Sequence, residues 1–123
     1  MRPIPSVLVI DDNFASLKAL TSLLTALGAE KVREAESAEE ALPIVAQERF
    51  DLIVSDYRLD GMNGVEFLEE VRGRGNQTPI LLLSGAPDKA GVIRTAHQPK
   101  ADFFTKPFRI ADLTDAMERL LAA

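Results

Sequence analysis

Five polar residues with complementary chemistry each lie just beyond a short apolar run of this 123-residue chain. They are Asp11, Asp12, Asp56, Ser84 and Lys106. If the apolar runs are strands of one parallel sheet, their carboxyl ends meet at a single edge, which is where open α/β sheets bind ligands. Three carboxylates, a hydroxyl and a lysine at that edge would suit a hard cation and a phosphoryl group.

The acidic residues leave two chemical roles open. Mg²⁺ prefers octahedral oxygen ligands and usually takes one or two carboxylates with phosphate oxygens, and Asp11 and Asp12 can approach one ion from different sides. Asp56 can be a further ligand or a nucleophile, because a carboxylate can accept a phosphoryl group as an acyl phosphate. Lys106 and the cation would balance charge on the transferring group, and the Ser84 hydroxyl would bond one of its oxygens. Repulsion among the carboxylates predicts raised pKa values until a cation binds.

Each of these residues also has a purely structural explanation. Aspartates after a strand often cap a helix, and an isolated aspartate, serine or lysine at such a place is often a turn or surface residue. The functional interpretation becomes specific because all of them stand at the ends of predicted strands. Asn13 can itself cap the following helix, which leaves Asp12 available to a metal.

The apolar runs predict the strands that would position these side chains. They occupy residues 7–10, 52–54, 80–83 and 103–104, with a weaker alternating pattern at 31–35. With their flanking residues, the third and fifth strands are predicted at 51–55 and 101–105. Continuous apolar runs of this length are typical of strands buried on both faces of a parallel sheet.

Helical periodicity follows every predicted strand. The predicted helices span 14–27, 37–47, 65–71, 88–96 and 110–121. Ser37 and Glu40 form a capping-box pattern, and Pro43 should kink the helix that they open. Regular alternation with short connections predicts a doubly wound α/β fold, with a five-stranded parallel sheet, five helices and right-handed crossovers.

Composition is that of an ordinary globular domain. Hydrophobic residues make up 46% and charged residues 27% of the chain, and the formal net charge is −5. The apolar stretches are far shorter than the ~20 residues of a membrane helix, and the first residues lack a signal-peptide pattern. The absence of cysteine fits a reducing cytoplasm, and no dense basic cluster indicates nucleic acid. We expect one cytoplasmic domain over residues 1–123, with no fused output domain and no direct contact with membrane or nucleic acid.

The order and spacing of five segments resemble the receiver domain of bacterial response regulators from end to end. The segments are Val7–Asn13, Asp51–Tyr57, Gly61–Gly64, Ile80–Gly85 and Ala101–Phe108. The resemblance implies a flavodoxin-like fold with strand order 2-1-3-4-5. It also implies a two-component signalling protein that catalyses only its own phosphorylation and dephosphorylation.

The same resemblance implies a role for each acidic residue. Asp56 would be the phosphoacceptor, loaded from a phosphohistidine on a sensor histidine kinase or a histidine phosphotransfer protein. Mg²⁺ would be held by Asp12 and Asp56, by the main-chain carbonyl of Arg58, and by Asp11 through water.

Switching residues are implied as well. Ser84 and Lys106 would contact the phosphoryl group, Phe103 would swing inward, and the bond between Lys106 and Pro107 would be cis. The fourth helix, fifth strand and fifth helix would then form the readout surface, where a downstream target or a second copy of the chain binds.

The chain departs from the family pattern at three places. Asp60 stands where the family commonly has a proline, so the loop after the acceptor should be more flexible. Gln98–Lys100 replaces a helix end and a glycine turn, and Gly91 lies upstream, so the fourth helix should be labile. Phe103 lacks the hydroxyl of a tyrosine, so packing alone would decide its two positions.

Other classes of protein fit less well. A phosphatase of the haloacid dehalogenase type needs a second acid where Arg58 stands. A flavodoxin-like flavin carrier needs a phosphate loop where Asp11–Asn13 would repel phosphate. The alternative that we keep is a receiver-like module that signals by protein binding without phosphorylation. The single histidine, His97, is better explained as a surface residue at the end of the fourth helix than as a phosphohistidine relay.

Overall fold

A computed structural model describes residues 4–86 and 88–122; residues 1–3, 87 and 123 lie outside the description. Strands and helices alternate along the chain as predicted. The strands are β1 (Ile4–Ile10), β2 (Ala29–Ala35), β3 (Leu52–Asp56), β4 (Ile80–Ser84) and β5 (Ala101–Thr105). The helices are α1 (Phe14–Ala26), α2 (Ala38–Gln47), α3 (Gly64–Gly73), α4 (Lys89–Ala96) and α5 (Ile110–Leu121).

The strands form one parallel sheet in the order β2-β1-β3-β4-β5, which confirms the predicted topology. β1, β3 and β4 lie inside the sheet, and their apolar side chains are buried. Helices cover both faces of such a sheet, so the side chains of its inner strands are buried on both sides. These strands are therefore built from continuous apolar runs rather than alternating ones. The carboxyl ends of the strands consequently lie along one edge.

The core is divided into two layers by the sheet. Leu8 and Ile10 of β1 pack in one layer, and Val7 and Val9 pack in the other, because successive strand side chains point to opposite faces. The first layer also contains the apolar sides of α2 and α3, and the second contains those of α1 and α5. None of the described helices is both long and apolar enough to cross a membrane.

Polar side chains cap the starts of four helices. The capping residues are Asn13, Ser37, Asn63 and Asp88. The cap at Asn13 confirms that α1 does not need Asp12 for this purpose. The capping box predicted at Ser37 is half formed, since Ser37 Oγ accepts the N–H of Glu40 at 3.0 Å. The Glu40 carboxylate, however, accepts the N–H of Glu36 at 3.3 Å rather than that of Ser37.

Several strand boundaries differ from the prediction: β1 begins at Ile4 rather than Val7, and β4 includes Ser84. β2 begins at Ala29 rather than Lys31, because it pairs with β1 from Ile4 onward. Asp56 is the last residue of β3, paired with Leu83, rather than the first residue beyond the strand. The acceptor candidate is thus positioned by the sheet ladder itself.

One helix ends where it was predicted to end, and another extends beyond its predicted range. α2 runs to Gln47 as predicted, and the helix continues through Pro43. α3 includes Gly73 and ends with Arg74 as its C-cap, and the following Gly75 adopts φ +81°. A left-handed glycine just after a helix satisfies its last carbonyl groups.

Candidate functional site

The residues singled out in the sequence meet at the carboxyl edge of the sheet. Asp11 and Asp12 follow β1, Asp56 ends β3, Ser84 ends β4 and Lys106 follows β5. One carboxylate oxygen from each of the three aspartates lies within 4.8 Å of the others. Lys106 Nζ lies 3.9 Å from Asp56 Oδ1. An acidic cluster with an adjacent lysine is therefore assembled from the ends of separate strands.

Asp11 is the buried member of the cluster, with 1% of its surface exposed. Its Oδ1 accepts the N–H of Asn13 at 2.9 Å, whereas its Oδ2 has no hydrogen-bond partner among the described residues. Burial raises the pKa of this carboxyl, and the bond from Asn13 and the charge of Lys106 oppose that rise. A buried oxygen without a partner typically costs about 1–3 kcal/mol, so this atom suits a cation or an ordered water.

Asp56 is partly buried, with 17% of its side chain exposed. Its pKa is also raised, mainly by burial, while Lys106 lowers it and the charges of Asp11 and Asp12 add to the rise. The prediction of a raised pKa is confirmed for Asp56. The cause differs from the prediction, because desolvation contributes more than repulsion between the carboxylates.

Asp12 is exposed and contacts the β3–α3 loop (residues 57–63). Its Oδ2 accepts the backbone N–H of Asp60 at 3.0 Å. The N–H of Met62, in the same loop, donates to Glu39 Oε2 of α2 at 2.8 Å. A proline at position 60 would lack the donor that reaches Asp12. The loop is thus tied to two carboxylates at the point where the sequence departs from the family pattern.

Gly64 allows α3 to begin directly against the end of β3. Its N–H donates to the carbonyl of Tyr57 at 2.8 Å. A Cβ at this position would lie 2.7 Å from the carbonyl oxygen of Asp56, closer than real side chains approach. The glycine is therefore required by a close backbone contact, and it sets the position of the candidate acceptor relative to α3.

The Ser84 hydroxyl is turned toward its own loop. It donates to the carbonyl of Ala86 at 2.7 Å and accepts the N–H of Ala86 at 3.3 Å. The N–H of Lys106 donates to the Ser84 carbonyl at 2.7 Å, which holds the lysine beside β4. The peptide bond between Lys106 and Pro107 is cis, as predicted.

Phe103 is half-buried in β5 and contacts both Tyr57 and α4. Its ring meets the ring of Tyr57 edge-on at a centroid distance of 5.5 Å. A Cβ on Gly91 would lie 3.1 Å from Phe103 Cε2, so the ring packs against α4. Interaction with the Asp88 carboxylate is the main cause that raises the pKa of Tyr57. Tyr57, the residue that follows Asp56, therefore interacts with both Phe103 and the cap of α4.

Sequence reasoning did not identify Glu39 or Tyr57 as parts of this site. A glutamate in the first turn of a helix is ordinarily explained by the helix dipole, and an aromatic residue after a strand by packing. Arg58 is exposed in the loop, and the ligand role of its main-chain carbonyl stays a prediction.

Comparison with known proteins places the chain in one family. Residues 7–118 match the response regulator receiver domain, and the chain belongs to that family. It is 37% identical over 115 residues to the response regulator protein FleR of Pseudomonas aeruginosa, covering 92% of this chain and 24% of FleR. It is 30% identical over 119 residues to the "Probable chemotaxis protein CheY" of Rhizobium etli, covering 95% of this chain and 92% of that protein. The chain therefore spans about a quarter of FleR and nearly all of the chemotaxis protein.

Solved receiver structures share the architecture. The crystal structure of FixJ-N has a TM-score of 0.86 and 28% identity, covering 99% of this chain and 96% of that one. The receiver domain of the Francisella response regulator 1452 has a TM-score of 0.84 and 26% identity, covering 96% and 97%. These likenesses confirm the predicted receiver fold and are consistent with a role in two-component signalling.

Proposed function

We propose that Asp56 accepts a phosphoryl group from a phosphohistidine, with the help of Mg²⁺ at the adjoining acidic cluster. The observation that supports this most is the buried Asp11 Oδ2, which has no hydrogen-bond partner among the described residues and belongs to a carboxylate beside Asp12 and Asp56. Buried polar atoms are nearly always satisfied, so an orphan of this kind favours a ligand site. Lys106, next to Asp56, supplies a further positive group.

The donor set fits Mg²⁺, which favours oxygen ligands and keeps several waters. Asp12 and Asp56 would bind through carboxylate oxygens, Arg58 through its main-chain carbonyl, and Asp11 through water. When bound, Mg²⁺ supplies positive charge to the acceptor carboxylate and to the oxygens of the transferring group. The ionised forms of Asp11 and Asp56 are stabilised beside a dication, which offsets the burial that raises their pKa values.

Phosphoryl transfer to Asp56 forms one bond and breaks another. A carboxylate oxygen of Asp56 attacks phosphorus, the P–N bond of the donor breaks, and its electron pair stays on the donor's imidazole nitrogen. Lys106, already 3.9 Å from Asp56, would contact a phosphoryl oxygen. The Ser84 hydroxyl would exchange the Ala86 carbonyl for another phosphoryl oxygen.

The phosphorylated state would be read on α4, β5 and α5. Phe103 packs against α4, and its inward movement would follow the rotation of Ser84. Val92, Ile93 and Ile110 are exposed on α4 and α5, where they offer apolar surface to a downstream target or a second copy of the chain.

The upstream partner would be a sensor histidine kinase or a histidine phosphotransfer protein. We assign the chain as a cytoplasmic receiver over residues 1–123, acting on proteins rather than on membrane or nucleic acid. Transfer of the phosphoryl group from Asp56 to a histidine phosphotransfer protein would identify a relay intermediate, and its absence would favour a diffusible output.

Intact mass after incubation with acetyl phosphate tests the proposal, with and without Mg²⁺ and beside Asp56→Asn. We expect one phosphoryl group to be gained by the unmutated chain in the presence of Mg²⁺, and none by Asp56→Asn. No gain in a folded protein would overturn the proposal and favour a module that binds partners without phosphorylation.

A further inference from the structure

The β3–α3 loop is fastened at two points on either side of Gly61. Before the glycine, the N–H of Asp60 donates to Asp12 Oδ2 at 3.0 Å. After it, the N–H of Met62 donates to Glu39 Oε2 at 2.8 Å. Gly61 itself adopts φ +78°, a conformation that glycine reaches without strain. The two carboxylates therefore hold consecutive parts of one tight turn.

Glu39 lies directly against this turn. A Cβ on Gly61 would lie 2.6 Å from Glu39 Oε2, so the carboxylate occupies the space beside the glycine backbone. The hydrogen bond from the Met62 N–H is the main cause that lowers the pKa of Glu39, and it favours the ionised form of the Glu39 carboxylate. Glu39 belongs to α2, which also packs in the core beside β1 and β3, so the contact relates the loop to a fixed element.

The Asp12 carboxylate depends on this loop for its orientation. It is exposed, and the Asp60 amide is the one hydrogen-bond donor that reaches it from the described part of the chain. An ionised carboxylate has two oxygens and about four acceptor sites, so a bond to Oδ2 leaves Oδ1 available to a metal. Groups that orient a ligating side chain in this way typically change metal affinity by 10–100-fold when they are removed.

We propose that Glu39 is a positioning residue of the cation site, acting through Met62 and the Asp60 amide on Asp12. The inference rests on the proposed function, because it assumes that Asp12 binds the cation. Glu39 does not touch the cation in this scheme. It holds the turn so that the Asp60 amide fixes Asp12 Oδ2 and keeps the Asp12 carboxylate beside those of Asp11 and Asp56.

Titration with Mg²⁺, followed by calorimetry and by the backbone amide NMR signals of residues 60 and 62, tests the inference without any phosphorylation. Glu39→Ala should weaken Mg²⁺ affinity by about 10-fold, since the loop loses its anchor. Glu39→Gln should retain most of the affinity, because an amide oxygen accepts the same bond. Both signals should move in Glu39→Ala before Mg²⁺ is added, and should stay near their wild-type positions in Glu39→Gln.

Glu40→Ala is the matched control, with the same charge removed from the same turn of α2. Its carboxylate contacts the Glu36 N–H instead of the loop, so Mg²⁺ affinity should be unchanged. Equal losses in Glu39→Ala, Glu39→Gln and Glu40→Ala would show a long-range charge effect and overturn the positioning role. Wild-type affinity in Glu39→Ala would also overturn it while leaving the proposed function intact. Failure of the wild-type protein to bind Mg²⁺ would instead overturn the proposed cation site, and the inference with it.

Discussion

The carboxyls of Asp11 and Asp56 carry a stability penalty that depends on pH. Burial raises both pKa values above the ordinary value of 3.8, so the folded protein binds these protons more tightly than the unfolded chain does. Stability from the protonated forms is fully present below the ordinary pKa, and it is lost as pH rises through the raised folded value. Without a divalent cation, the two ionised carboxylates therefore lower the free energy of unfolding at neutral pH.

Asp56→Asn should raise the melting temperature at neutral pH without divalent cation, because the amide carries no charge to desolvate. The difference from wild type should narrow as pH falls through the raised pKa, since wild-type Asp56 then takes up its proton. Thermal unfolding followed across this range measures the effect. Asp115→Asn, at an exposed position on α5, is the control and should show no comparable change. A difference that is constant with pH would contradict the explanation.

Lys100 is a residue under backbone strain. It adopts φ +52°, a left-handed backbone conformation that typically destabilises the folded state by about 1–2 kcal/mol for a residue other than glycine. Lys100→Gly should raise the free energy of unfolding by about 0.5–1 kcal/mol, after the greater flexibility of glycine in the unfolded chain is included. Urea denaturation checks this value. Lys89→Gly, in the first turn of α4, should have the opposite sign, and stabilisation by both changes would indicate another cause.

Between elements, Arg72 joins the end of α3 to the connection that precedes β5. It is 8% exposed, and its guanidinium donates to the carbonyls of Asn76, Pro99 and Lys100, each at 3.0 Å. Burial lowers the pKa of this arginine, and its hydrogen bonds go to backbone carbonyl oxygens. The planar fork of the guanidinium matches acceptors on two separate segments, a geometry that lysine cannot reproduce.

Arg72→Met should lower the free energy of unfolding by about 2–3 kcal/mol, because several buried carbonyls lose a charged donor. Arg72→Lys should restore only part of the loss, since the ammonium group reaches fewer of the carbonyls at once. Equilibrium unfolding in urea measures both variants. Arg74→Met is the control: its exposed pair with Glu70 should contribute only about 0.3–0.5 kcal/mol. Similar losses at positions 72 and 74 would argue against the bridging role.

For the whole molecule, a cation at the acidic cluster would connect segments that are distant in sequence. Its proposed ligands come from the end of β1 and from the end of β3, and the unfolded chain does not hold them together. Binding to the folded state alone stabilises by about 2.7 kcal/mol when the free ligand is at 100 times its Kd. Mg²⁺ should therefore act on global stability.

Millimolar Mg²⁺ should raise the melting temperature of the wild-type protein, and Asp12→Ala should lose this response. Differential scanning calorimetry with a monovalent salt of matched ionic strength separates binding from screening. An equal rise in Asp12→Ala would place the cation elsewhere, and no rise in wild type would count against the site.

Local patterns were sufficient for the order of strands and helices and for Asp11, Asp12, Asp56, Ser84 and Lys106, but not for Glu39 or Tyr57. Apolar runs, helical periodicity and caps such as Asn13 and Asp88 depend on neighbours in sequence, so they could be predicted from the sequence alone. Parallel strands place their carboxyl ends at one edge, so strand assignment was enough to predict that Asp11, Asp56 and Lys106 would meet. The resemblance to receivers added the strand order and the cis peptide bond.

Tertiary structure decided what surrounds those residues. The contact between Glu39 and Met62 joins positions 23 residues apart, and the contact between Arg72 and Lys100 joins positions 28 apart. Neither contact has a local pattern, because each depends on where the loops lie after the helices pack. The burial of Asp11 likewise follows from how the elements pack around the site. That burial leaves Asp11 Oδ2 without a hydrogen-bond partner among the described residues, and it makes desolvation a larger cause of the raised pKa than repulsion from Asp12. The amino-acid sequence thus determined which groups meet, and the packed chain determined their orientation and the direction in which their pKa values shift.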